Sequence, residues 1–148
     1  MIDFIEIAGR IPKSHIEKID INIPFIDLAA GFSGMQGTVL LMSGGETDCS
    51  RYHILGIRPW LTITGRGRKM TIVLRDRIVT LEAEPFDTLR SVLNAFKYES
   101  CSNLPLTSGL MGYLAYDLKD HLENLPRTSF DDLCLPHICL FAPSVILV

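Results

Sequence analysis

Three apolar runs joined by short connections occupy the middle of the chain. Residues 52–64 alternate in a strand-like pattern, "MTIVL" at 70–74 follows the turn "GRGRK" at 65–69, and "RDR" leads into "IVTLEA" at 78–83. Connections this short join antiparallel strands, so the stretch predicts a meander with basic turns. Pro59 cannot donate a backbone hydrogen bond, and it therefore predicts a break or bulge in the first strand.

The remaining elements are interleaved with this meander. The helix predicted over 85–99 has Pro85 in its first turn and apolar residues at the i, i+3, i+4 positions, namely Phe86, Leu89, Val92, Leu93 and Phe96. Weaker patterns predict a strand at 2–7, a short helix after Pro24, a strand at 37–43, a strand within 106–118, a helical turn or two at 118–125 and a strand-rich end from His137. Helices and strands alternate without βαβ regularity, which indicates an α+β fold with a mainly antiparallel sheet in a single domain over 1–148.

Composition narrows the class of protein. The chain has 148 residues, 47% of them hydrophobic, but no window of 18 uncharged apolar residues that would predict a membrane span. The apolar excess indicates a rich core or an apolar surface for a partner. The net charge is −3, and the basic residues Arg66, Arg68, Lys69, Arg75 and Arg77 are balanced by acids elsewhere. A solvated hairpin is favoured over a nucleic-acid patch, and the acidic start lacks a signal-peptide pattern, so a cytoplasmic protein is expected.

Candidate chemical groups are few. The cysteines Cys49, Cys101, Cys134 and Cys139 form no CxxC pair, so neither a zinc pattern nor a disulfide framework is predicted. Cys134, His137 and Cys139 lie close in sequence, and free buried thiols are favoured there over a metal site. No nucleophile elbow, dinucleotide fingerprint, phosphate loop or HExxH motif occurs, so we predict no catalytic residue and no metal ligand in these 148 residues.

Three stretches, taken in order, carry a family resemblance: 39–67, 84–93 and 108–126. The last reads "SGLMGYLAYD" and then "ENLP". Together they resemble the N-terminal domain of component I of aminodeoxychorismate synthase and of anthranilate synthase, the chorismate-utilising synthases. The family pattern is Gly-Gly-x-x-Gly-Tyr-x-x-Tyr-Asp, from which only the first glycine departs, to Ser108. The resemblance covers about residues 24–148.

The resemblance implies a two-part synthase that aminates chorismate with ammonia from a glutamine amidotransferase subunit, leading to para-aminobenzoate and folate or to anthranilate. In this family chorismate, magnesium and the catalytic residues belong to a larger C-terminal domain. The chain is therefore expected to be the non-catalytic N-terminal domain, sandwich-like in fold, inactive alone and without a cofactor of its own. Its apolar end, "SVILV", is expected to continue in a longer chain.

The resemblance also implies a tryptophan site, because the family domain can hold this amino acid between its two sheets. The matching positions are Leu41, Ser43, Ser50, Arg51 and Tyr52. A hydroxyl with backbone groups could hold the ammonium and carboxylate, while an arginine and an aromatic ring contribute charge and indole contact. Feedback-sensing members have an acid where this chain has Met42, which favours the para-aminobenzoate branch. Anthranilate synthase with tryptophan feedback, or a free-standing amino-acid-binding module, are the alternatives.

For the motif itself, structural and domain-interface roles are favoured over ligand contact. Gly109 and Gly112 would allow a close backbone approach or a bulge. Tyr113 and Tyr116, three residues apart, would face opposite sides of a strand unless a bulge intervenes. Asp117 would cap the helical turn beginning near Leu118.

Overall fold

One antiparallel sheet organises the chain. The computed structural model describes residues 14–45, 48, 50–75, 77–97, 103–126 and 130–148. Its strands are β1 (Val39–Met42), β2 (His53–Arg66), β3 (Lys69–Leu74), β4 (Arg77–Glu82), β5 (Met111–Leu114) and β6 (Ile138–Leu147). They form a sheet in the order β4-β3-β2-β6-β5, with β1 also paired to β2, and every pair is antiparallel. The expected α+β class is confirmed, whereas the predicted strand at 2–7 lies outside the described residues.

The predicted antiparallel meander is present as β2–β3–β4. Arg66 pairs with Lys69 across the first turn, and Leu74 pairs with Arg77 across the second. The irregularity predicted at Pro59 is also present, because the pairing of β2 with β6 shifts register between Pro59 and Leu61. Arg58, next to it, has a φ of 53°. The bulge thus divides β2 into two halves.

Each half of β2 belongs to a different hydrophobic cluster. Leu55 and Ile57 pack with Ala29 of the short helix α1 (Phe25–Ala30), which follows Pro24 as predicted. Leu61 and Ile63 pack with residues of the helix α2 (Pro85–Ala95) and with Ile138 of β6. Because β2 runs through both clusters, it joins the two parts of the core into one sheet.

The second helix is shorter than predicted. It ends at Ala95, and of its predicted apolar face Leu89 and Val92 are buried. Leu93, also part of that pattern, is 56% exposed. Each residue of an α-helix is rotated by about 100° from the one before it, so Leu93 lies at the edge of the apolar face whereas Val92 lies within it. No helix in the described ranges is long and apolar enough to cross a membrane.

Gly112 of β5 allows the close backbone approach that the sequence predicts. Its φ is 144°, and a Cβ atom built on it would collide with the carbonyl oxygen of Cys139 in the neighbouring strand β6. Since β5 pairs with β6 over Met111–Leu114 and Ile138–Phe141, any side chain at position 112 would push these strands apart.

We expect Gly112→Ala to lower the free energy of unfolding by about 2–4 kcal/mol, through steric overlap and an unfavourable φ. Urea denaturation followed by circular dichroism measures this change. Gly44→Ala is the matched control, because a Cβ at Gly44 meets no atom within 4 Å and should change stability by less than about 0.5 kcal/mol. Equal unfolding midpoints for the two variants would contradict the prediction.

Candidate functional site

The five predicted ligand residues lie together where β1 ends and β2 begins. Leu41 pairs with Ile54, and the Ser43 hydroxyl donates a hydrogen bond to the Tyr52 carbonyl oxygen at 2.8 Å. Ser50 donates to the Gly44 carbonyl oxygen at 3.0 Å. Arg51 donates through Nε to the Asp48 carbonyl oxygen at 3.4 Å. The polar groups therefore also hold the connection between the strands in place.

This end of the ladder is open to solvent. Leu41 and Tyr52 are each 47% exposed, and Arg51 is exposed as well. Exposed apolar side chains beside hydroxyl and guanidinium groups match the mixed character of an amino-acid ligand. The face is a shallow surface, and none of the five residues lines the large groove described below.

Met42 points away from this face. Side chains alternate along a strand, so Met42 and Leu41 lie on opposite sides of β1. Met42 pairs with His53, whose ring stacks on Phe25 of α1 with centroids 5.6 Å apart. An acid at position 42 would consequently lie on the α1 side of the sheet, among these rings.

His53 was missed by the sequence analysis. Its Nδ1 atom is buried and has no hydrogen-bond partner in the described part of the chain. The sequence feature that could have indicated this residue is its position directly after the Ser-Arg-Tyr segment, at the start of an apolar strand. His53 thus places a polar atom on the α1 side of the sheet, and its neighbour Met42 makes no hydrogen bond to this atom.

The family motif spans two elements rather than one strand. Gly112 and Tyr113 lie in β5, which ends at Leu114, whereas Tyr116 and Asp117 lie in a 3₁₀ helix over Tyr116–His121. Gly109, with a φ of 146°, precedes the strand. The expectation of two tyrosines in one strand is therefore wrong. The helical turn expected over 118–125 is present, but it begins at Tyr116 and ends at His121. Tyr116 is 79% exposed.

The predicted cap is also wrong, because the helix begins earlier. Ala115 is its N-cap and no side chain caps it, while the Leu118 N–H donates to the Ala115 carbonyl oxygen at 3.1 Å. The Ala115 N–H donates to the His137 carbonyl oxygen at 2.7 Å, which ends the pairing with β6 and starts the turn. Asp117 instead lies near Arg66.

Arg66 is the centre of a polar cluster at the turn between β2 and β3. It donates to the Asp131 carboxylate, and Asp131 Oδ1 accepts the Cys134 N–H at 3.0 Å. A hydrogen bond with Cys134, followed by the Asp131 charge and then a smaller effect of Asp117, raises the pKa of Arg66. The cluster ties the loop before β6 to the hairpin, which is a structural role.

The basic turn is thus partly neutralised by acids from other elements. Arg68 donates to Glu84 Oε2 at 3.1 Å, and Glu84 Oε1 lies 3.1 Å from His121 Nδ1. Glu84 is the N-cap residue of α2, so these contacts join the hairpin, the helix and the 3₁₀ helix. Arg66 and Arg68, two residues of the predicted basic cluster, are therefore ion-paired.

The cysteines of the loop and of β6 differ in environment. Cys134 is exposed, so the prediction of a buried thiol is wrong for it, because its loop stands outside the sheet. Cys139 is half-buried next to its partner Tyr113, and burial raises the pKa of both groups. The Gly67 N–H donates to His137 Nδ1 at 3.3 Å. Across the described ranges, no three His, Cys, Asp or Glu residues come together as metal ligands.

Known proteins are similar to most of the chain. Component 1 of anthranilate synthase from Cereibacter sphaeroides is 34% identical over 113 residues, which are 72% of this chain and 22% of that protein. Component 1 of aminodeoxychorismate synthase from Bacillus subtilis is 32% identical over 89 residues, 60% of this chain and 19% of that protein. The chain is homologous to component 1 of these two synthases.

A third component 1 relative shows a higher identity over a shorter stretch. Anthranilate synthase component 1 from Mycolicibacterium smegmatis is 47% identical over 58 residues, 38% of this chain and 11% of that protein. No protein-family model matches the chain. The chain spans about a fifth of the length of the C. sphaeroides and B. subtilis relatives, at 22% and 19%.

We expect Cys139 to react with iodoacetamide at pH 8 about tenfold more slowly than Cys134, because a raised pKa lowers the thiolate fraction and burial restricts access. Its rate should continue to rise above pH 9. Tandem mass spectrometry locates and counts the modified cysteine over time. Equal rates at Cys134 and Cys139 in the folded protein would contradict this assignment.

Proposed function

We propose that the chain is the N-terminal, non-catalytic domain of component 1 of a chorismate-aminating synthase. The observation that supports this most is the match to C. sphaeroides component 1, which takes in 72% of this chain but only 22% of the relative. The remaining length of such a protein would hold chorismate and magnesium and would receive ammonia from a glutamine amidotransferase subunit. The described residues of this chain offer no cluster that fits magnesium.

Exposed apolar side chains in and after the family motif support packing against that catalytic domain. They are Tyr113, Leu114, Tyr116, Leu122, Leu125, Phe130, Leu133 and Leu135. Large exposed apolar surface marks protein interfaces. In our proposal these residues, rather than any catalytic group, are the contribution of the motif region to the synthase.

The open end of the β1–β2 ladder is our proposed tryptophan site. Leu41 and Tyr52 would contact the indole ring, and the Ser43 and Ser50 hydroxyls lie beside them. Arg51 uses Nε for the Asp48 carbonyl oxygen, and a guanidinium has further N–H groups that can bind a carboxylate in pairs. The ligand would be covered from the other side by the catalytic domain.

Aminodeoxychorismate is the proposed product, on the ground that Met42 replaces the acid of feedback-sensing members. Anthranilate is the second candidate, and the identity of 47% over 58 residues to the M. smegmatis anthranilate synthase component favours it. The position of Met42 on the α1 side of the sheet weakens the first argument, because an acid there would not share a face with Leu41. A free-standing amino-acid-binding module is the third candidate. Formation of an aminated product by the full-length protein would exclude it.

We expect a full-length protein containing this chain to convert chorismate and ammonia, with magnesium, into an aminated product. Mass spectrometry of the product distinguishes aminodeoxychorismate from anthranilate. The 148-residue chain alone is the control and should give no product. Turnover by the chain alone, or none by the folded full-length protein, would contradict the proposed function.

Tryptophan binding is tested by calorimetry on the full-length protein. We expect Arg51→Ala to weaken binding about tenfold and Ser43→Ala about threefold, through loss of hydrogen bonds to the ligand and to the Tyr52 carbonyl. Arg77→Ala and Ser91→Ala remove the same chemical groups from distant exposed positions and should leave the affinity unchanged. Equal affinities for all four variants and the parent protein would exclude this site.

A further inference from the structure

A large groove lies away from the proposed tryptophan site. Its volume is about 1410 Å³, and its walls are the segment 14–23, the ends of α1 and α2, the connection 104–110, the bulge of β2 and the last residues of β6. Pockets for small molecules typically measure about 300–1,000 Å³. The groove is therefore better suited to a segment of polypeptide.

Apolar side chains form most of its surface. Trp60 and Phe96 meet edge to face with ring centroids 5.1 Å apart, and the exposed Leu93 lies beside them. Along the opposite wall the exposed isoleucines are Ile16, Ile19, Ile21 and Ile23. Apolar surface of this extent is characteristic of a protein-binding site.

Cationic groups surround the aromatic pair. Arg58 precedes Trp60 by two residues, the Arg75 N–H donates to the Trp60 carbonyl oxygen at 3.0 Å, and Lys97 follows Phe96. No ion pair joins any of the three cations to another residue within the described ranges. Among the described residues that line the groove, Glu17 has the single side-chain carboxylate. The charge of the groove is complementary to an acidic partner.

The backbone holds two of these cations in an unfavourable conformation. Arg58 has a φ of 53° and Arg75 a φ of 49°, values in the left-handed region that favours glycine. Backbone strain of this kind persists where the surrounding structure requires it and is concentrated at functional sites. Here it accompanies two guanidinium groups that line the same groove.

We propose that this groove binds an extended segment of a partner protein in which apolar and acidic residues alternate. The segment would lie along the groove, with its apolar side chains against Trp60 and Leu93 and its carboxylates directed to Arg58, Arg75 and Lys97. Alternation suits this arrangement, because successive side chains of a strand point to opposite sides. The proposal concerns the chain alone and does not depend on the proposed synthase activity.

Trp60 provides the measurement, since it is the single tryptophan of the chain. The 148-residue chain is titrated with an acetylated eight-residue peptide of alternating valine and glutamate, and Trp60 fluorescence is recorded at low salt. We expect a saturable change that weakens as salt is added, because the charges contribute to binding. A peptide with lysine in place of glutamate is the control and should cause no saturable change.

Two variants remove the charges without straining the fold. Arg58→Gly and Arg75→Gly place glycine where φ is positive, so the unfolding midpoint should be maintained or raised. Each is expected to weaken peptide binding about threefold to tenfold. Arg77→Ala, on an exposed part of β4 outside the groove, is the matched control and should bind like the parent chain.

Several results would overturn the proposal. These are no saturable change in Trp60 fluorescence, equal binding of the glutamate and lysine peptides, or unchanged affinity in both glycine variants. Binding that appears only after removal of residues 1–13 would also overturn it, because the groove would then belong to the chain's own N-terminal segment. A saturable, salt-sensitive and arginine-dependent response of the complete chain supports it.

Discussion

The antiparallel pairing of β2 with β6 is the interaction on which the rest of the structure depends. These two longest strands run side by side from Gly65 and Ile138 to Leu55 and Leu147. β3 and β1 pair with β2, β4 pairs with β3, and β5 pairs with β6. Both helices cover clusters built on these strands, so loss of this ladder would separate every other element from its core.

The bulge within this ladder links the fold to the two surfaces of interest. It interrupts β2 beside Arg58, between the half that carries the β1 ladder and the half that carries the meander. The candidate tryptophan face lies at one end of the long strand, while Arg58 and Trp60 line a groove at its middle. A single irregularity thereby separates a small polar face from a large apolar one.

Local features of the fold could be predicted from the sequence, and distant ones could not. Short turns determine the meander, Pro59 determines the bulge, and the motif glycine at 112 determines the contact with Cys139, because each depends on neighbouring residues or on one required backbone approach. The insertion of β6 between β2 and β5 depends on pairing between residues about eighty positions apart, which no local pattern encodes. For the same reason Asp117 was assigned to a cap, although the bond from the Ala115 N–H to the distant His137 carbonyl oxygen precedes a helix that already begins at Tyr116.

The residues of the candidate site could be named from the sequence, but their contacts and orientations could not be predicted from it. Ser43 and Tyr52 meet because β1 pairs with β2. Neither the segment "LLMS" nor the later segment "SRY" predicts this pairing by itself. The opposite orientation of Met42 and the stacking of His53 on Phe25 follow from the same register. The groove joins residues from segments spread along the described chain, so it could be recognised only after folding.

The central position of β6 also affects how the chain can be made in a cell. The meander is complete by Glu82, yet the strand that pairs with its first member begins only at Ile138. A ribosome delivers the chain from its N-terminus, so β2 emerges with one edge uncovered until β6 has been synthesised. Contacts of such long sequence separation form slowly, which makes protection of this edge during synthesis a requirement of the topology.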